Sequence, residues 1–300
     1  MTDRPAAAAA APPPLSKPRR ALPLAWIGIL PFLAFVILFL ALPTLNIVLG
    51  AFRTPDGSFT FRNIAGLFTP SILSSYWISI KISATSAFLG CLVGFLMAAA
   101  MVLWGLPKVI RGPLLTFSGV ASNFAGVPLA FAFLATLGPL GLVTVWLRQE
   151  FGINLRALGF NILSFWGLTI TYLFFQIPLM ILIITPALDG LKREWREAAE
   201  VLGASSGQYW RMVALPILFP ALLGTFALLF ANSFGAIATA YALTGSSLNI
   251  VPIMLFAQIR GDVLGDPHLG YAMAFGMIVV TSIANTIYIV LRMRSEKWLK

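Results

Sequence analysis

The chain has 300 residues, 59% of them hydrophobic and only 10% charged, with a mean hydropathy of +0.91. A water-soluble domain of this size carries roughly 25% charged residues, so a fully solvated globule is excluded and lipid must be the solvent for much of the surface. The formal charge of +10 sits in short clusters between apolar runs, not in a Lys/Arg stripe with interleaved aromatics, and Cys91 is alone, which excludes a nucleic-acid surface and a disulfide framework.

Residues 1–20 form an Ala/Pro-rich tail that ends in Lys17, Arg19 and Arg20. It has little apolar bulk to bury and is expected to be a disordered cytoplasmic tail. The apolar run that follows, 24–51, is far longer than a secretory signal core and has no small-residue cleavage site after it, so it reads as a retained first span. A bilayer core of about 30 Å needs about 20 apolar residues in a helix. By that measure the chain holds six spans, at about 24–51, 76–104, 113–138, 160–188, 214–243 and 270–291. The fold class is therefore all-α and polytopic, because continuous apolar runs without alternation exclude membrane strands.

Between the spans, segments 52–75, 139–159 and 244–269 are rich in turn-forming residues and are expected on one side of the membrane. Pro128, Pro178, Pro186 and Pro220 fall within or near the ends of spans, where kinks either shape a cavity or serve ordinary packing. Fourteen Lys/Arg residues lie in the N-terminal tail, the 105–112 loop, the 189–213 loop and the C-terminus. Five, namely Arg53, Arg62, Arg148, Arg156 and Arg260, lie on the other side, and Lys81 lies just inside a span. This asymmetry puts both termini in the cytoplasm.

The most informative segment is 189–216. Residues 192–202 are good helix formers, with Trp195, Ala198, Ala199 and Leu202 at i, i+3, i+4 and i+7 along one apolar face. Arg193–Glu197 and Arg196–Glu200 are spaced i, i+4. Gly203 stands where a left-handed C-terminal cap is needed, and Ser205 with Gln208 has the spacing of a capping box that opens a second helix. The loop therefore reads as a short amphipathic helix, a sharp turn, and a second helix feeding a span. Such a helix presents a knob to a soluble partner, or else lies on the membrane surface with none.

These residues resemble a known family. Glu197-Ala198-Ala199, then Gly203, Val213 and Leu215-Pro216, is similar to the loop pattern Glu-Ala-Ala-x3-Gly-x9-Ile-x-Leu-Pro of binding-protein-dependent ABC importer permeases, with Val213 for Ile its only departure. With the six spans, the resemblance covers about residues 20–295. It implies a type I ABC importer permease fold over residues 21–300, in a bacterial cytoplasmic (inner) membrane. It also implies that residues 194–203 form a coupling helix docked on an ATPase subunit. The coupling residues are then Glu194, Glu197, Ala198, Ala199, Gly203, Leu215 and Pro216. The implied partners are two ATP-binding subunits, a second permease chain (a sibling or a second copy) and an extracytoplasmic solute-binding protein. No phosphate loop occurs in the sequence, so the chain is not expected to be an enzyme: it carries no cofactor, and ATP is bound by the partner. No metal-ligand spacing occurs either.

The carboxylates all fall outside the spans except Asp189 at a span's edge, which leaves ion-coupled secondary transport or a channel without an obvious handle. A membrane enzyme would need a catalytic cluster that is absent from the sequence, and an exporter half would usually carry a fused nucleotide-binding domain. Ser122, Asn123, Gln176, Asn232 and Ser233 are polar groups within spans 3, 4 and 5 that either line a solute path or bond helix to helix. The layout also resembles spermidine/putrescine-type permeases, which implies a polyamine-like or other small charged solute, although no carboxylate lies inside the membrane to hold a cation.

Overall fold

The computed structural model describes residues 24–104, 106–260 and 267–296. The tail expected at 1–20 lies outside them. Among the described residues the chain is helical, and strand pairing is confined to an isolated bridge between Arg53 and Phe59. Six helical stretches are long and apolar enough to cross a membrane: Gly28–Ala51, Pro70–Leu103, Val127–Glu150, Phe165–Asp189, Ser206–Phe234 and Pro267–Arg294.

The chain divides into two compact units, Met1–Asn46 and Ile47–Lys300. The first contains α1 (Leu24–Val36), a π-helical turn over Ile37–Ala41, and the start of α2 (Leu42–Ala51). Its Phe32, Phe35 and Phe39 are all exposed, as a lipid-facing helix requires. A second π-helical turn covers Trp210–Ala214. Each π turn ends two residues before a proline, Pro43 or Pro216. The proline ring lacks an N–H and collides with the carbonyl four residues earlier, and widening the preceding turn relieves that clash without ending the helix.

The second unit is built on α4 (Pro70–Leu103) packed along α8 (Phe165–Asp189). Ala87, Gly90, Gly94 and Ala98 recur on one buried face of α4, against Gln176, Met180 and Ile184 of α8. Small residues let two membrane helices approach closely, and contact between them, not water exclusion, holds the pair together. Helix α8 starts at Ser164, whose hydroxyl accepts from the Gly167 N–H. Helix α11 (Leu215–Phe234) lies on α4 and α8, and α14 (Pro267–Glu296) lies on α11.

Two expected spans are interrupted. The third, 113–138, is broken at residues 124–126 into α5 (Lys108–Asn123) and α6 (Val127–Leu137). The fifth, 214–243, is broken at Gly235 and Ala236, beyond which α12 (Ile237–Thr244) begins. Gly126, at φ +77°, ends the first helical path, and Pro128 opens the next one. The outer segments also hold more regular structure than turns: α3 (Arg62–Gly66), α7 (Leu142–Glu150) and α13 (Val251–Arg260). Val251 of α13 is fully buried, so part of 244–269 belongs to the core.

Candidate coupling loop and solute cleft

The loop after α8 folds as the spacing predicts. Helix α9 (Arg193–Val201) carries the ion pairs Arg193–Glu197 (2.8 Å) and Arg196–Glu200 (3.0 Å) on its solvent side. Glu194 sits in its first turn, where the helix dipole favours a carboxylate. At its end, the Gly203 N–H donates to Glu200 O and the Ala204 N–H to Ala199 O, the paired bonds of a Schellman cap, with Gly203 at φ +77°. Helix α10 (Ser206–Tyr209) opens on a complete capping box: the Gln208 N–H donates to Ser205 Oγ, and the Ser205 N–H to Gln208 Oε1. The π turn and Leu215-Pro216 follow.

This helix leaves its apolar side open. Trp195 and Ala198 are exposed, Ala199 is half-buried, and Val201 and Leu202 are 87% and 86% exposed. Leu215 and Pro216 are exposed as well. A cleft of ≈570 Å3 runs beside α9, lined by Trp104, Lys192, Arg193, Arg196, Tyr209 and Trp210 among others. An ion pair between Arg111 of α5 and Asp189 ties the last residue of α8 to the first half of the broken third span.

The two helix breaks meet. A second cleft, of ≈370 Å3, is lined by Ser122, Asn123, Ala125 and Gly126 from the first break and by Asn232, Gly235, Ala236, Ile237, Ala238 and Thr239 from the second, with Phe175 of α8 between them. Its size lies at the lower end of the roughly 300–1,000 Å3 of small-molecule sites. The breaks are braced: the Gly126 N–H donates to Thr239 Oγ1 at 2.7 Å, and the Tyr172 hydroxyl donates to Ala236 O at 3.0 Å. Neither α6 nor α12 has a side-chain cap, and both begin beside this cleft: Ile237, Ala238 and Thr239 of the first turn of α12 line it, as does Gly126 ahead of α6. None of the lining side chains is ionisable.

The five polar span residues separate into two groups. Ser122, Asn123 and Asn232 line the cleft. Ser122 Oγ and Asn123 Nδ2 both donate to Gly119 O, while Asn232 is exposed and has no hydrogen-bond partner among the described residues. Gln176 and Ser233 lie behind the cleft wall. Gln176 is fully buried, and its Nε2 donates to Ser86 Oγ and Leu229 O, joining three helices; Ser233 Oγ bonds back to Leu229 O. Sequence reasoning missed Thr239 and the two breaks. The signal for the first break was present in Asn123-x2-Gly126-x-Pro128, a stop glycine followed by a start proline.

Residues 92–300 match the family described as "Binding-protein-dependent transport system inner membrane component", which is more than half of the chain. The chain is similar to a "Probable sulfate transport system permease protein cysT" of Zygnema circumcarinatum, at 27% identity over 86% of each chain. It is also similar to a "Molybdenum transport system permease protein ModB" of Mycobacterium bovis, at 26% identity over 72% of this chain and 78% of that one. Its fold is similar to that of a chain in the crystal structure of a bacterial ABC transporter involved in the import of the acidic polysaccharide alginate, with a TM-score of 0.68 at 17% identity, over 92% of this chain and 96% of that one. These relatives do not bear the spermidine/putrescine names that the layout suggested; the two permeases are named for sulfate and for molybdenum.

Proposed function

From its membership of the binding-protein-dependent transport system inner membrane component family, in which the chain is the permease subunit of an ABC importer and the ATPase is a separate subunit, we propose that it carries a small tetrahedral oxyanion of the sulfate or molybdate kind through the cleft between its two helix breaks. The observation that carries this reading is the chemistry of that cleft: two uncapped helix N-termini, hydroxyls and amides, and no carboxylate. Half-helix N-termini beside unwound backbone suit an anionic solute, and a polyamine would meet the wrong end of both dipoles. The names of the relatives point the same way.

In this reading both termini are cytoplasmic and α9 is the coupling helix. Glu194 and Glu197 offer polar contacts to an ATPase cleft, Ala198 and Ala199 permit close approach, and Gly203, Leu215 and Pro216 fix the turn back into the membrane. Nucleotide-driven movement of α9 reaches the cleft by two connections. Helix α8 carries Tyr172 to Ala236, and the Asp189–Arg111 pair carries α5 to Ser122 and Asn123. Alternating access then needs a second permease chain to complete the path and an extracytoplasmic binding protein to load it.

The test is uptake by proteoliposomes holding the full complex with its binding protein. Radiolabelled sulfate or molybdate is expected to accumulate only with ATP inside the ATPase compartment, and Asn123→Ala with Asn232→Ala to cut that uptake at least about tenfold, the worth of hydrogen bonds to a charged group. Uptake of radiolabelled spermidine in place of either oxyanion would overturn the substrate. A second expectation concerns docking. Leu202 is almost wholly exposed, so Leu202→Ser is expected to leave the permease folded, while its co-purification with the ATPase weakens by about tenfold as an exposed apolar anchor is lost. Undiminished co-purification of this variant would remove Leu202 from the interface.

A further inference from the structure

Thr239 differs from Thr225 and Thr244, two other threonines buried in this bundle. Thr225 and Thr244 spend their hydroxyl protons on the carbonyl four residues back in their own helices, at 2.8 and 2.9 Å. This back-bonding is the ordinary solution for a threonine in an apolar helix. Thr239 is the third residue of α12 and follows the unwound pair Gly235-Ala236, so no regular turn precedes it to supply such a carbonyl. Its oxygen instead accepts the Gly126 N–H across the junction between the two breaks. A hydroxyl has one proton and two lone pairs, and the proton of Thr239 has no acceptor among the described residues. The side chain is nearly inaccessible, at 2%, yet it borders the ≈370 Å3 cleft. A buried donor without an acceptor is costly, so a cleft-bound acceptor would relieve it.

We propose that Thr239 is a specificity-determining residue of the solute path: it takes a hydrogen bond from Gly126 and gives its own proton to the oxyanion in the cleft. The proposal rests on the reading of that cleft as the solute path. It adds a mechanism for selection. The fixed backbone N–H takes one of the two lone pairs of the Thr239 hydroxyl, and its proton is left to give to the cleft. That proton favours solutes that can accept it, such as a fully deprotonated tetrahedral oxyanion, over ammonium groups, which have only donors and would leave it unpaired. The bond received from Gly126 also polarises the hydroxyl and strengthens the bond it donates. Gly126 is required by its φ of +77°, not by crowding, because a Cβ there would meet only Ala238 and Pro128 at ordinary contact distance.

The experiment compares Thr239→Ser, which keeps the hydroxyl, with Thr239→Val, which keeps the shape and removes it. Both are reconstituted as the full complex with the binding protein, and the readout is radiolabelled sulfate moved per ATP hydrolysed. Thr239→Val is expected to lower that ratio about tenfold or more, and Thr239→Ser to restore most of it. A damaged fold would lose hydrolysis and uptake together, so the ratio is read only with hydrolysis retained; an unchanged ratio in a Thr239→Val complex that hydrolyses ATP at the parent rate overturns the proposal. Equal loss in Thr239→Ser overturns it as well. If Asn123→Ala and Asn232→Ala lower uptake while Thr239→Val does not, the cleft remains the path and only the role of Thr239 fails. If neither cleft asparagine matters, the path itself lies elsewhere.

Discussion

Replacing Gly203 with valine is expected to abolish most ATP-driven uptake, by at least about tenfold, while Gly203→Asn keeps a substantial share of it. The residue sits at φ +77° and closes the Schellman cap of α9 through its own N–H. Left-handed backbone costs an ordinary L-residue about 1–2 kcal/mol, and a β-branched one more, whereas asparagine tolerates it. Space is not at issue, because a Cβ at this position would meet no atom within 4 Å. The difference between valine and asparagine therefore isolates backbone conformation from bulk. In the free chain the helix is anchored by little else: its apolar side is open and its ion pairs lie on the solvent surface, where such pairs contribute little. If the cap fails, α9 loses the angle at which it meets a partner. The measurement is solute-stimulated ATP hydrolysis by the reconstituted complex, with co-purification of the ATPase as a second readout. Wild-type values for Gly203→Val would show that the turn is dispensable.

Much of this architecture is legible in the sequence because local rules decide it. The loop 189–216 is the best case. The i, i+4 charge pairs, the glycine cap and the Ser205/Gln208 box are each set by a few neighbouring residues, and each forms as spaced. Spans are legible for a different reason: in lipid, a long apolar run has no alternative to helix. What hydropathy cannot show is interruption. Residues 113–138 and 214–243 are apolar enough to read as unbroken, since Phe124, Ala125, Gly235 and Ala236 do not lower hydropathy much. Breaking them depends on Gly126 and on the tertiary bonds of Tyr172 and Thr239, whose partners lie 64 and 113 positions away in sequence. The same limit divides the polar residues. Nothing local distinguishes Asn232, which lines the cleft, from its neighbour Ser233, which turns back to Leu229 O. A one-residue step rotates a helix by 100°, and only the packing partners say which face is wet.

The largest effect on the fold is expected at the α4–α8 seam. A Cβ built on Gly94 would lie 2.6 Å from Met180 Cβ, 2.7 Å from its Cγ and 2.9 Å from Ile177 O. Gly90, one turn away, faces Gln176 at 3.0 Å, so the two glycines of Gly90-x3-Gly94 form one close-approach surface. Gly94→Val must therefore push α8 away along several turns, because the nearest obstacles are a Cβ and a backbone carbonyl, not the tip of a flexible side chain. Overpacking of this kind costs typically 1–3 kcal/mol in a water-soluble core, and more where the backbone itself has to move. Separating α8 from α4 also opens the Gln176 junction and leaves its amide without Ser86 Oγ. Gly94→Val is expected to give little monodisperse permease after detergent extraction, and Met180→Ala to rescue it only in part, since the Ile177 carbonyl remains. Gly119→Ala supplies the comparison: a Cβ there meets nothing within 4 Å, and its added methyl should leave yield and thermal midpoint unchanged. A Gly94→Val chain with the yield and thermal midpoint of the parent would mean that α4 and α8 are not held at this distance in the membrane.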